Sequence, residues 1–141
     1  MAGSSKAFPS GVYLAPDDLT ASRAAAGRAE IASRDINLER VASKREFLAA
    51  CARALRFPKT FGGNWDALAD CLKDLCADSF INCRNCASFA EAAPDDYATA
   101  LEIFQDAASY WRARGSVFAV LVDAEAQGVR LARFPAPNGR I

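Results

Sequence analysis

A tight loop that leads into a helix, within residues 57–72, constrains the fold of this chain more than any other stretch. Pro58 fixes its own φ and disfavours helical geometry at the residue before it, so a preceding helix is expected to stop there. Gly62 and Gly63 let the backbone turn where a side chain would clash. Asn64 is a favourable N-cap, and the sequence therefore predicts that a new helix begins at this residue.

The helix predicted over residues 64–76 has an apolar face and an acidic face. Spacings of three and four residues define the apolar stripe, which consists of Trp65, Leu68, Leu72 and Leu75. Asp66, Asp70 and Asp74 recur every four residues on another side. Charges opposite an apolar stripe are often simply solvated, and that interpretation stays open. Like charges one turn apart nevertheless cost a few tenths of a kcal/mol per pair, so this series of acids favours a basic partner.

These residues resemble the signature of the barstar family, the intracellular inhibitors of small secreted ribonucleases. The family pattern is an apolar residue, Pro, two variable positions, an aromatic residue, then Gly-x-Asn-x-Asp-Ala-Leu-x-Asp-Cys-Leu. The chain matches this pattern at Phe57, Pro58, Phe61, Gly62, Asn64, Asp66, Ala67, Leu68, Asp70, Cys71 and Leu72. The resemblance covers residues 33–122. It implies a single domain over residues 1–141, with an N-terminal extension over 1–32 and a C-terminal strand and loose tail over 123–141.

The resemblance also implies a partner-binding role for individual residues. Asp70 matches the family's central carboxylate, which enters the phosphate site of the nuclease, and Asp66 matches a second acid beside it. The other positions implied at this interface are Gly62, Gly63, Asn64, Thr60, Ala69 and Asp106.

Three of these positions differ from the classical inhibitor type. Thr60 and Ala69 stand where that type has aromatic contact residues. Aromatic side chains are typical hot spots of interfaces, so their absence predicts a different nuclease partner or a looser complex. Asp106 falls where the best-known members have a peripheral Glu.

The function implied by the resemblance is inhibition by charge mimicry, without enzyme activity. Carboxylates would occupy the nuclease site that binds RNA phosphates and would form charge-assisted hydrogen bonds to Arg. The expected partner is a small basic ribonuclease or a related toxin, bound by a monomer in a 1:1 complex. The alternative is an interaction or immunity protein of the same fold that binds a different, non-barnase toxin or a regulatory partner. No nucleic acid, membrane, cofactor or metal is expected to bind.

The charge distribution agrees with a cationic partner, although the net charge is zero. Residues 57–110 carry three Lys and Arg against nine Asp and Glu, whereas the segments on either side are each at +3. An acidic middle region argues against nucleic acid and for a basic protein surface. The sequence has no histidine, which excludes His-based acid–base and triad chemistry. The chain lacks a signal-peptide pattern and an apolar run of eighteen residues, so a cytoplasmic protein is expected.

The five cysteines are expected to be free, buried thiols, because their number is odd and no export signal is present. Two alternatives stay open. Cys83 and Cys86 form a CxxC pair, and Cys71 and Cys76 could complete a four-thiolate zinc site with them. A redox pair would need a helix N-terminus to lower the thiol pKa, whereas Cys83 is predicted to end a strand.

The remaining elements follow from caps, breakers and periodicity. Strands are predicted at residues 11–14, 31–38, 80–83, 117–122 and 129–134. Helices are predicted between Pro16 and Gly27, over 43–56 behind a capping box of Ser43 and Glu46, and over 95–114 before Gly115. Asn82 is an unusual residue for the interior of a buried strand.

This order of elements predicts an α/β fold with right-handed crossovers between parallel strands. The family resemblance implies a small three-stranded parallel sheet packed by helices. Short strands from both ends of the chain are expected to extend that sheet.

Overall fold

The computed structural model of the chain describes residues 10–16, 18–75 and 78–134. The strands in these ranges are β1 (Gly11–Leu14), β2 (Ala32–Asn37), β3 (Ser79–Arg84), β4 (Phe118–Val122) and β5 (Ala132–Arg133). The helices are α1 (Thr20–Arg28), α2 (Lys44–Leu55), α3 (Trp65–Lys73), α4 (Ala87–Ala92) and α5 (Pro94–Ala113). None of these helices is both long and apolar enough to cross a membrane.

The strands form one parallel sheet in the order β2-β3-β4-β1-β5. The expected three-stranded core is therefore present as β2, β3 and β4, and β1 and β5 extend it on the side of β4. β5 is shorter than the predicted strand over 129–134. Phe134, just after it, is buried, and its backbone N–H donates to the carbonyl of Leu14 at 2.8 Å.

Both faces of the central strands are buried. Ile81 and Val120 point to the face that is covered by α2, α3, α4 and α5. Phe80 and Leu121 point to the opposite face, where they pack in a cluster with Ala26 of α1. The unbroken apolar run predicted for β4 is explained by this arrangement, since a parallel strand covered on both sides needs apolar residues on both sides.

The signature helix α3 begins where the sequence predicts. The Oδ1 atom of Asn64 accepts a hydrogen bond from the N–H of Ala67 at 2.7 Å, which satisfies one of the free donors of the first turn. Leu68 and Leu72 are fully buried, and Trp65 is partly buried against the same core. The predicted apolar stripe is thus confirmed at these positions.

The end of α3 differs from the prediction over 64–76. The helix ends at Lys73, and residues 76 and 77 lie outside the described part of the chain. The indole Nε1 of Trp111, on α5, donates to the carbonyl of Leu72 at 2.9 Å. This bond satisfies one of the carbonyls that a helix leaves free in its last turn and fixes α3 against α5.

The helix α1 does not end at Gly27, so that prediction was wrong. The helix continues to Arg28, and Glu30 adopts the left-handed conformation with φ 61°. The N–H of Ile31 then donates to the carbonyl of Ala26 at 2.8 Å. This bond closes the helix directly before the chain enters β2, so the left-handed residue is needed at position 30.

The short helix α4 was not predicted at all. Its six residues follow Cys86 and end just before Pro94, a segment too short to show a helical period. The capping box of α2 is confirmed, because the Oγ of Ser43 accepts from the N–H of Glu46 at 3.2 Å. The carboxylate of Glu46 reaches back to the N–H of Ala42 at 2.9 Å.

Replacing Leu68 by Ala is expected to lower the free energy of unfolding by about 2–5 kcal/mol, because it removes buried methyl groups and leaves a cavity. Asp70→Ala on the same helix is the matched control, with an expected change within about 0.5 kcal/mol since the side chain is exposed. Urea unfolding of both variants measures the difference. Equal destabilisation by the two substitutions would show that the assigned phase of α3 is wrong.

Candidate functional site

The acidic face of α3 is open to solvent. Asp66 and Asp70 are both exposed. Among the described residues, no Lys or Arg lies within 4.0 Å of either carboxylate. Leu68 and Leu72 face the core. Asp66 and Asp70 each lie two residues before one of these leucines, so they face the opposite side of the helix, toward solvent. The site is therefore an exposed anionic surface on a firmly packed helix.

The loop before α3 turns at Gly63. Its φ of +71° lies in the left-handed region, which favours glycine. Gly62 has no such requirement, since an added Cβ would meet the Nδ2 of Asn64 at an ordinary distance of 3.5 Å. The ring of Phe61 packs against the ring of Phe57, with 5.0 Å between the ring centres, and both rings contact the core. This packing holds the loop in place. The exposed residues Gly62, Gly63 and Asn64 thus form the rim next to the acidic face.

The other predicted interface residues differ in their exposure to solvent. Thr60 is exposed in the loop, and Ala69 is half-buried on α3. Asp106 is exposed on α5, the helix that α3 packs against. Among the described residues, no hydrogen bond joins Asp106 to the signature helix.

A cleft beside the loop was missed by sequence reasoning. It has a volume of about 560 Å³, and it is lined by Lys44, Arg45, Leu48, Ala49, Phe61, Gly62 and Gly63. The Nζ of Lys44 also lies 5.4 Å from the centre of the Trp65 ring, in a cation–π contact. The two cations come from the first turn of α2, far from the signature along the sequence, so no local pattern indicated them.

The negative charge of the acidic face affects the pKa of the Cys71 thiol. Its partial burial, together with the nearby carboxylates of Asp74 and Asp70, raises the pKa of Cys71 above its ordinary value of 9.0. The thiol is therefore less reactive than an ordinary one at neutral pH.

Cys83 lies near the end of β3, as predicted, but the helix that follows the CxxC pair was not predicted. Cys86 stands at the start of α4 rather than simply after a strand. Burial nevertheless raises the pKa of Cys86 to about 12, and burial also raises the pKa of Cys83 well above its usual range. The Sγ of Cys86 donates to the carbonyl of Cys83 at 3.3 Å. Burial and raised pKa values are typical of structural thiols, whereas a redox pair would need a lowered thiol pKa.

A metal site was the other alternative for the cysteines. The described residues contain no group of three or more His, Cys, Asp or Glu side chains placed to hold a metal ion. Cys76, which would be the second ligand of the four-thiolate arrangement, lies outside the described residues.

Comparison with known protein families supports the inhibitor class. The family model described as Barstar (barnase inhibitor) matches residues 31–123, which is more than half of the chain. The chain therefore belongs to the barstar family, a family of inhibitors rather than enzymes. The matched region begins at the entry to β2 and ends just after β4, so it contains the whole acidic site. A comparison with curated proteins finds no match.

Asp70→Asn is expected to speed alkylation of Cys71 at pH 8. Removing a nearby negative charge favours the thiolate, which lowers the thiol pKa and raises the reactive fraction. Iodoacetamide labelling followed by tryptic digestion measures the rate, because cleavage after Lys59 and Lys73 isolates Cys71 in its own peptide. Glu30→Gln, which removes a charge elsewhere, should leave the rate unchanged. An unaltered rate in Asp70→Asn would contradict the assigned electrostatics.

Proposed function

We propose that this chain inhibits a small basic ribonuclease by inserting Asp70, flanked by Asp66, into the phosphate-binding site of the enzyme. The observation that carries this proposal is the pair of exposed carboxylates on α3, neither of which has a Lys or Arg nitrogen within 4.0 Å among the described residues. They stand beside the Asn64 cap in a chain of the barstar family. The complex is proposed to contain one monomer of the inhibitor and one nuclease.

The charges of the site suit this role. A ribonuclease binds a polyanion, so its active site concentrates cationic side chains, and carboxylates can occupy the positions of the phosphates. Charge-assisted bonds to Arg are short and geometrically specific. Asp66 and Asp70 form no ion pair within the described part of the chain, so binding costs these carboxylates their hydration but breaks no salt bridge there.

The rigidity of the site favours tight binding. Leu68 and Leu72 are buried on the core side of α3, and the bond from Trp111 fixes its last turn. The N-cap bond of Asn64 fixes its first turn. A helix held at both ends loses little conformational freedom on binding, which lowers the entropic cost of the complex.

The partner is expected to differ from a barnase-type enzyme at the edge of the contact. Thr60 and Ala69 supply no aromatic anchor. The cleft beside Gly62 instead offers apolar walls with Lys44 and Arg45 at its border, where an apolar or acidic group of the partner would fit. If the chain binds no ribonuclease, the cleft beside Gly62 favours the second candidate function, which is binding of a different toxin or a regulatory protein.

Asp70→Asn is expected to weaken inhibition by about 2 kcal/mol or more, or roughly 30-fold, since the nuclease cation would be left buried without its partner. The barnase–barstar complex is itself the standard example behind that range, so the magnitude is an expectation from the family. Hydrolysis of a fluorogenic RNA by a panel of small basic ribonucleases, titrated with wild type and variant, measures it. Thermal unfolding of both proteins checks that the fold is retained.

The control for this experiment is Glu30→Gln, which makes the same change in net charge at an exposed position after α1. It should inhibit as well as wild type does. Inhibition that survives in Asp70→Asn would refute the assigned role of this carboxylate. Failure of wild type to inhibit any enzyme of the panel would sink the ribonuclease proposal and favour the alternative partner.

Association with the nuclease is expected to slow as salt is added, because complementary charges accelerate the encounter. Between about 0.05 M and 0.5 M NaCl the screening length falls severalfold, so the association rate constant should drop markedly. Stopped-flow fluorescence measures this rate, and Asp70→Asn should show a shallower salt dependence. An association rate that is indifferent to salt would count against a charge-led encounter.

A further inference from the structure

A second cleft lies at the carboxyl edge of the sheet, apart from the acidic site. Its volume is about 510 Å³, within the range of about 300–1,000 Å³ typical of small-molecule sites. The ends of β1, β3 and β4 form it, together with the start of α1 and Arg133 of β5. None of its lining residues belongs to α2, α3 or the signature loop.

The topology of the chain explains why a cleft opens at this edge. After β1 the chain passes into α1, which covers one face of the sheet. After β3 it passes into α4 and α5, which cover the opposite face. β4 lies between these two strands. Connections that leave strands of one sheet toward opposite faces favour a crevice outside the carboxyl ends, where parallel α/β sheets generally bind ligands.

The lining of the cleft includes the buried polar side chain of Asn82. Asn82 is 1% exposed, and neither its Oδ1 nor its Nδ2 has a hydrogen-bond partner among the described residues. Its neighbours in register are Asp35 and Leu121. A buried amide without partners opposes folding unless something occupies the position.

A second buried polar group lies in the same layer. The Oγ of Ser22, on α1, is also buried without a partner among the described residues. Ser22 lies one helical turn toward the cleft from Ala26, and Asn82 lies two residues toward it from Phe80. Ala26 and Phe80 pack in one cluster. The Oγ of Ser22 and the amide of Asn82 therefore both lie on the side of this cluster that is nearer to the cleft.

Cationic donors stand at the mouth of the cleft. The Nη1 of Arg133 donates to the carbonyl of Ala15 at 2.8 Å, which holds this exposed side chain in place. Arg84 is exposed and lies 4.0 Å from Asp35. Asp123, by contrast, is already used, since its two carboxylate oxygens accept from the backbone N–H groups of Asn85 and Cys86. Glu125 is a further, exposed acid of the lining.

We propose that this cleft binds a nucleoside monophosphate. The amide of Asn82 presents a donor beside an acceptor, which pairs with the adjacent acceptor and donor of an adenine edge. Arg133 and Arg84 supply the fork-shaped donors that suit a phosphate. Because Asn82 is only 1% exposed in the cleft lining, the base would reach its amide by displacing another lining side chain, such as Leu19, which is half-buried at the start of α1.

The test is a titration of the ¹⁵N-labelled full chain with adenosine 5′-monophosphate, followed by the backbone amide signals at the ends of β1, β3 and β4. Saturable shifts confined to these signals are expected. Asn82→Leu and Arg133→Ala should each weaken binding at least tenfold, whereas Arg130→Ala, an exposed cation outside the cleft lining, should not. Adenosine and inorganic phosphate are titrated separately and should each bind more weakly than the nucleotide.

Several outcomes would overturn the proposal. Absence of saturable shifts at millimolar nucleotide would exclude the site. Phosphate alone binding as tightly as the nucleotide would reduce it to an anion site without base recognition. Unchanged nucleotide binding by Asn82→Leu, together with a higher unfolding midpoint, would show that Asn82 holds nothing more than a buried water. If that variant does not fold, the exposed position Arg133 still decides the question. The result is independent of ribonuclease inhibition, since no residue of α3 lines the cleft.

Discussion

Burial of β3 and β4 on both faces is the constraint on which the rest of the structure depends. Neighbouring parallel strands cannot be joined by tight turns, so every connection has to cross a face of the sheet. Apolar residues on both sides of β4 must also be covered, and one layer of helices cannot do this. The chain meets the requirement with α2 to α5 on one face and with α1 and Phe134 on the other. The acidic surface and the second cleft both follow from this arrangement.

Stability and binding are assigned to different sides of α3. The core side carries Leu68 and Leu72, which are fully buried, and burial of such side chains contributes kilocalories per mole. The outer side carries acids whose mutual repulsion costs only tenths. The fold can therefore tolerate this concentration of negative charge at little cost to its own stability. The proposed binding of a cationic partner depends on this tolerance.

The local part of the site could be predicted from sequence, because its causes are local. The N-cap at Asn64 and the phase of α3 follow from residues within two turns, and the structure confirms both. The left-handed residue after α1 could not be predicted, since its position depends on where Ile31 enters the sheet. The second cleft depends on β1 lying beside β4, a long-range pairing that no window of sequence contains. Asn82 is unusual for a buried strand on sequence grounds alone. That its amide has no hydrogen-bond partner among the described residues depends on the packing around it, which the sequence does not show.

The acidic surface of α3 lies inside the region that matches the family, whereas the second cleft lies partly outside it. Residues 31–123 contain α3 and its loop completely, so the proposed inhibitor surface needs nothing beyond the region shared with the family. The second cleft needs Leu19 and Arg133, which lie outside that region, as well as Asn82, which lies inside it. Without β1 and α1, the face that carries Phe80 and Leu121 would be uncovered. The segments outside the matched region thus complete the core, and they line the same cleft as the polar side chain of Asn82. A ligand in the cleft would contact the shared region and the added segments together.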